Sequence, residues 1–160
     1  MMADTERPAA AQMGADSRHR AREVALQMLY QWEVGRAPID EVCQTFWTNG
    51  PAGAPPPESV RSFATLLATG VAAHAARLDP LIAEAAEHWR IERMNVMDRL
   101  ILRLAVYEFL KQPETPSKVI INEGIELAKR YGTVDSFKFV NAVLDKSARE
   151  LRRAASGNAG

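Results

Sequence analysis

Residues 117–132, SKVIINEGIELAKRYG, decide the fold. Val119, Ile120, Ile121, Ile125, Leu127 and Ala128 place apolar side chains around most of a helical wheel, leaving a strip of Asn122, Glu126 and Lys129 for water or a partner. Thr115 followed by Pro116 reads as an N-cap with proline at the first helical position, and Gly132 stops the helix at C′. A helix apolar on so many sides belongs near the centre of a bundle.

The same period recurs in both directions from this stretch. Downstream, a helix opening at Asp135 carries Phe139, Val140, Val143, Leu144 and Leu151 inward and ends in the basic run RELRR. Upstream, NVMDRLILRLAVYEFLKQ (95–112) presents Val96, Leu100, Leu104 and Phe109. Asp79-Pro80 punctuates the chain between two earlier helices, one marked by Val60, Phe63, Ala64, Leu67 and Val71, the other running to about Trp89. TNGPAGAPPPES (48–59) reads as a surface loop, because proline lacks an amide donor and glycine favours non-helical backbone. Before it, a helix from near Pro38 buries Ile39, Val42, Cys43 and Phe46. The first helix, capped by Asp16 or Ser17 and closed by Gly35, carries Ala21, Val24, Ala25, Met28, Leu29 and Trp32. With no alternating run of β-branched residues, the expected class is all-α, a compact helical bundle of about seven helices. Residues 1–16 read as a disordered extension, 17–150 as the domain and 151–160 as a flexible tail.

Bulk properties narrow the functions. A chain of 160 residues, 47% hydrophobic, builds one compact core rather than two large domains. Twenty basic and twenty acidic residues cancel, so any attraction to nucleic acid or an acidic membrane must come from a local patch. The single cysteine, Cys43, excludes an internal disulfide and a cysteine-rich zinc site. No apolar run approaches the roughly 20 residues that span a bilayer, and the N-terminus lacks a signal-peptide core, so a cytoplasmic protein without membrane contact is expected.

Catalytic signatures are missing. His19, His74 and His88 are far apart and match no metal spacing, no glycine-rich loop precedes a helix, and no nucleophile sits in an elbow motif. The expectation is therefore no enzyme, no cofactor and no metal. Two local features remain. Arg18, His19, Arg20 and Arg22 crowd the start of the first helix, where cations oppose the helix dipole. They are either a solvated basic end or a site for something anionic. On the same helix Tyr30 lies almost opposite the apolar stripe, with Leu26 near it, so this side either packs inside the bundle or faces a partner. The second feature is DSFKF (135–139): Asp135 caps a helix whose first turn holds Lys138, Phe137 and Phe139. An aromatic beside a lysine at a helix N-terminus can stack a base and hold a phosphate, but on chemistry alone two half-buried core phenylalanines are the favoured reading.

Four stretches, RHRAREVALQMLYQWE, DRLILRLAVYEFL, INEGIELAKRYG and DSFKFVNAVLDK, resemble the NusB family of bacterial transcription antitermination factors, in the same order and over roughly Ser17 to Ala148. The resemblance implies an all-helical protein of two helical subdomains that binds single-stranded boxA RNA in ribosomal RNA leaders. It implies a heterodimer with NusE, a small-subunit ribosomal protein, and assembly with other Nus factors on RNA polymerase to suppress Rho-dependent termination. By position it places RNA contacts on Arg18, Arg20, Arg22, Gln27, Asp135, Ser136, Lys138 and Phe139, and NusE contacts on Tyr30, Glu92, Asp98 and Arg103. Two alternatives stand beside it: a helical domain of the kind fused to some ribosomal RNA methyltransferases, and a self-associating structural or ribosome-biogenesis adaptor that forms a homodimer through the NusE-facing surface.

Overall fold

The computed structural model describes residues 13–49, 54–87 and 89–158; most of the N-terminal extension and the centre of the proline-rich loop lie outside them. The described chain forms six α-helices, α1 Ala15–Gly35, α2 Ile39–Asn49, α3 Glu58–Ala86, α4 Val96–Lys111, α5 Ser117–Tyr131 and α6 Ser136–Asn158, with a 3-10 turn at Ile91–Arg93 and no strand among the described residues. It divides into two compact units, Met1–Ala72 and Ala73–Gly160, each with its own packing.

In the first unit, α1 begins at Ala15 after an N-cap at Gly14, so Asp16 is a first-turn acid complementing the helix dipole rather than the cap. Its buried side is Ala21, Arg22, Ala25, Leu26, Met28 and Leu29, wider than the expected stripe and shifted toward Leu26. Val24 and Trp32 are only half-buried. Gly35 is the last helical residue, and the left-handed position falls on Arg36, with φ 56°. On α2, Val42, Cys43 and Phe46 turn inward, and the Cys43 Sγ lies 4.0 Å from Met28 Sδ. Burial, then the Asp40 charge, push the Cys43 thiol up. The opening of α3 adds Val60, Phe63, Ala64, Leu67 and Val71, all buried as the period requires.

In the second unit the expected break at Asp79-Pro80 does not occur: α3 runs through Pro80. A proline inside a helix loses the bond to the carbonyl four residues back and costs about 3 kcal/mol. Here Leu78 and Ile82 are fully buried on either side of it, and Arg103 grips the Asp79 carboxylate with two bonds of 2.7 and 2.8 Å. Two expected helices are thus one, which is why the described residues hold six α-helices where about seven were expected. α3 ends at Glu87 in the left-handed region, φ 54°.

The centre of this unit also differs from expectation. Residues 100–108 of α4 are buried without interruption, whereas α5 buries only Ile120, Gly124, Leu127 and Ala128 and leaves Val119 37% exposed. α4 takes the middle, its Arg103 paired inside with Asp79, while α5 packs one face on α4 and α6. Gly124 marks the closest approach: a Cβ there would stand 2.8 Å from Leu144 Cδ1. α6 contributes Val140, Val143, Leu144 and Ala148 to the core and stays helical to Asn158, through most of the stretch expected to be a flexible tail.

Candidate nucleic-acid interface

The junction between α5 and α6 builds the site. Gly132 ends α5 with its N–H on the Ala128 carbonyl at 2.9 Å and an extended backbone, φ −91°. Its conformation does not demand glycine; its space does. A Cβ at this position would lie 2.5 Å from both Cβ and Oγ of Ser136 and 2.7 Å from the Ala128 carbonyl oxygen. The close approach lets the Ser136 hydroxyl accept the Thr133 N–H at 2.8 Å. Ser136, only 2% exposed, also bonds the Asp98 carboxylate on α4. Asp135 caps by its carbonyl, which accepts from the Phe139 N–H at 3.3 Å.

α4 is positioned by its own cap, the Asn95 side chain accepting the Met97 N–H at 2.9 Å. Asp98 follows one turn in and is 7% exposed. Burial pushes its carboxyl above the usual carboxylate range, the Ser136 bond pulling the other way. A cleft of about 370 Å³ is lined by these groups, Asn95, Asp98, Asp135 and Ser136, together with Trp89, Arg93 and Phe139. The two rings meet edge to face, centroids 5.6 Å apart. Trp89 is 57% exposed. Outside the cleft, the half-buried Phe137 ring carries two ammonium groups, Lys129 Nζ at 5.6 Å and Lys138 Nζ at 5.9 Å. A second cleft is lined by Trp89 together with Arg90 and Arg93.

The expected site residues divide between the units. Asp135, Ser136, Lys138 and Phe139 are together at the α6 N-terminus, Lys138 exposed and Phe139 half-buried. Arg18, Arg20, Arg22 and Gln27 are on α1. Arg20 is exposed and Arg18 partly so, but Arg22 is 2% exposed, its guanidinium turned to the interior, so the three arginines do not form one surface cluster. They also stand beyond the first residues of the helix, which starts earlier than expected, and His19 faces Glu23 at 3.6 Å. Of the expected partner residues, Tyr30 is 39% exposed with Val34 beside it one turn on, and Glu92 is exposed. Leu26 is buried, which separates it from Tyr30. Arg103 is 7% exposed and bound to Asp79, an ion pair that ties α4 to α3. Trp89 has no signal in the helical period, which places it as a helix end; the one cue is a large aromatic followed by arginines at 90 and 93.

Among the described residues no group of three or more His, Cys, Asp or Glu side chains could hold a metal ion, and no helix is long and apolar enough to cross a membrane.

Two units of packed helices, with a cleft walled by two aromatic rings where α6 begins, define a small protein that is all-helical over its described residues. The chain belongs to the NusB family, whose profile matches residues 19–149, a family of non-catalytic factors. It is 45% identical over 135 residues to the transcription antitermination protein NusB of Koribacter versatilis, covering 84% of this chain and 90% of that protein. The NusB of Sorangium cellulosum is 45% identical over 141 residues, covering 88% and 96%. Among solved structures, T. maritima NusB superposes with a TM-score of 0.75 at 34% identity, over 83% of this chain and 91% of that one. A chain from the complex of antitermination factors NusB and NusE with double-stranded RNA shares the fold, with a TM-score of 0.72 at 22% identity over 86% and 99%.

Proposed function

We propose that this chain is a non-catalytic transcription antitermination factor that binds single-stranded boxA RNA in ribosomal RNA leaders together with NusE. In this reading it joins other Nus factors on RNA polymerase and suppresses Rho-dependent termination. The observation that carries the RNA part is the α6 N-terminus, where Lys138 and Lys129 flank an aromatic ring and Trp89 and Phe139 open onto a cleft. Ammonium groups hold phosphates and aromatic faces hold bases, the two needs of a single-stranded ligand. Arg18, Arg20 and Gln27 on α1 supply further contacts, and Arg22 supports them from within. Family membership and the names of the relatives support the role in transcription. For NusE we assign the exposed Tyr30 and Glu92, with Val34 added. A homodimer formed through the same residues would hide them from NusE.

An electrophoretic shift with a boxA-like RNA, with and without NusE, tests this. Binding that tightens when NusE is added is expected. Absence of a shift under both conditions would overturn the reading.

A further inference from the structure

We infer that the RNA does not stop at the α6 N-terminus: it passes Trp89 into the neighbouring cleft, where Arg90 and Arg93 hold the backbone phosphates of a flanking single-stranded segment. The inference rests on the RNA-binding reading above and lengthens the track which that reading describes.

Three observations lead to it. Trp89 and Arg93 line both clefts, so the second, of about 660 Å³, adjoins the first at a single side chain, the 57% exposed indole of Trp89. The charges of the two clefts then differ. The first sets two carboxylates, Asp98 and Asp135, against Arg93, a balance that disfavours phosphate. The second sets two guanidinium groups against Glu87 and Glu92, and Glu87 is already paired with Lys146 of α6, so the local balance is positive. Lastly, the 3-10 turn at Ile91–Arg93 is closed by the Arg93 N–H on the Arg90 carbonyl at 3.0 Å, which brings both arginines to one cleft. Both are exposed, and neither side chain makes a hydrogen bond, ion pair or ring contact among the described residues. Like charges set one turn apart repel, and an anion held by both removes that repulsion. The planar fork of arginine matches a phosphate, and a phosphodiester chain supplies one after another. Glu92, in the same turn and assigned above to NusE, makes that protein the competing occupant.

The test measures binding to the full chain without NusE, by fluorescence anisotropy. The probes are a boxA-like RNA and the same RNA lengthened with oligouridine at its 5′ or its 3′ end. One extension is expected to tighten binding about tenfold, as one hydrogen bond between charged groups allows. It should also steepen the slope of log affinity against log salt by about 0.7 for each phosphate gained, roughly 1.4 for two. Arg90→Gln with Arg93→Gln, folded by circular dichroism, is expected to return both values to those of the unextended RNA.

No gain from either extension, or a gain that survives in the double variant, overturns the inference and leaves the RNA-binding reading intact. Where the gain survives and NusE affinity falls, the two arginines face the partner protein instead. A gain lost in the variant with the salt slope unchanged also overturns it, since the arginines then do not act on phosphates. Failure of every RNA to bind, with NusE present as well, overturns the inference and the proposed function together.

Discussion

Phe139 stands between two roles, being half-buried and in ring contact with Trp89. Base stacking on an aromatic is worth about 1 to 3 kcal/mol, so Phe139→Ala is expected to weaken RNA binding roughly 5- to 150-fold. A fully buried phenylalanine would cost about 3 to 5 kcal/mol of stability on truncation, and this partly exposed one should cost clearly less. RNA titrations run below the melting transition, beside thermal melts, measure both. Asp98 gives a second prediction. Burial raises its carboxyl above the ordinary value of 3.8, so between the two values the folded chain keeps a proton that the unfolded chain has lost. Stability from this group is therefore greatest in acid and falls as pH rises through the folded value. Asp98→Asn removes that fall. The variant should melt above the wild type at neutral pH, and the gap should close as pH drops below 3.8. A gap independent of pH would show that burial of the charge is not its source.

At the scale of elements, the junction of α5 and α6 is the sensitive point. Gly132→Ala forces a Cβ onto the Ser136 side chain and the Ala128 carbonyl, and because one obstacle is backbone the helices must shift. Overpacking of this kind costs about 1 to 3 kcal/mol, read as a lower urea midpoint at constant slope. The same change should weaken RNA binding by moving Ser136. The glycine was legible as a helix stop, but its reason was not, since a local pattern shows a chain reversal and cannot show which side chain returns to fill the space. Helix types and most core positions could be read because the apolar period is set within each segment. The unbroken α3 and the central α4 could not, because both depend on the Arg103–Asp79 pair, whose members are 24 residues apart. Trp89 was read as the end of a helix, whereas α3 stops at Ala86 and Glu87 takes the left-handed conformation.

For the molecule as a whole, twenty positive and twenty negative side chains leave no net charge to attract RNA from a distance. If a few local cations hold the ligand, log affinity should fall with log salt at about −0.7 per phosphate, an overall slope of roughly −2 to −4. Arg18→Ala with Arg20→Ala should flatten that slope, with helical circular dichroism unchanged. On the partner side, Tyr30→Asp should leave the chain folded, because Tyr30 is 39% exposed, and cost about 2 kcal/mol or more of NusE binding in a calorimetric titration. Cys43 offers a different kind of access. It is the only thiol in the chain, buried against Met28, and its pKa is raised, so it must be both uncovered and ionised before it reacts. The rate at which a disulfide reagent consumes it under native conditions therefore counts the moments when α2 lifts from α1, a clock for the first unit that needs no added label. Orders of magnitude should separate that rate from the rate in the unfolded chain.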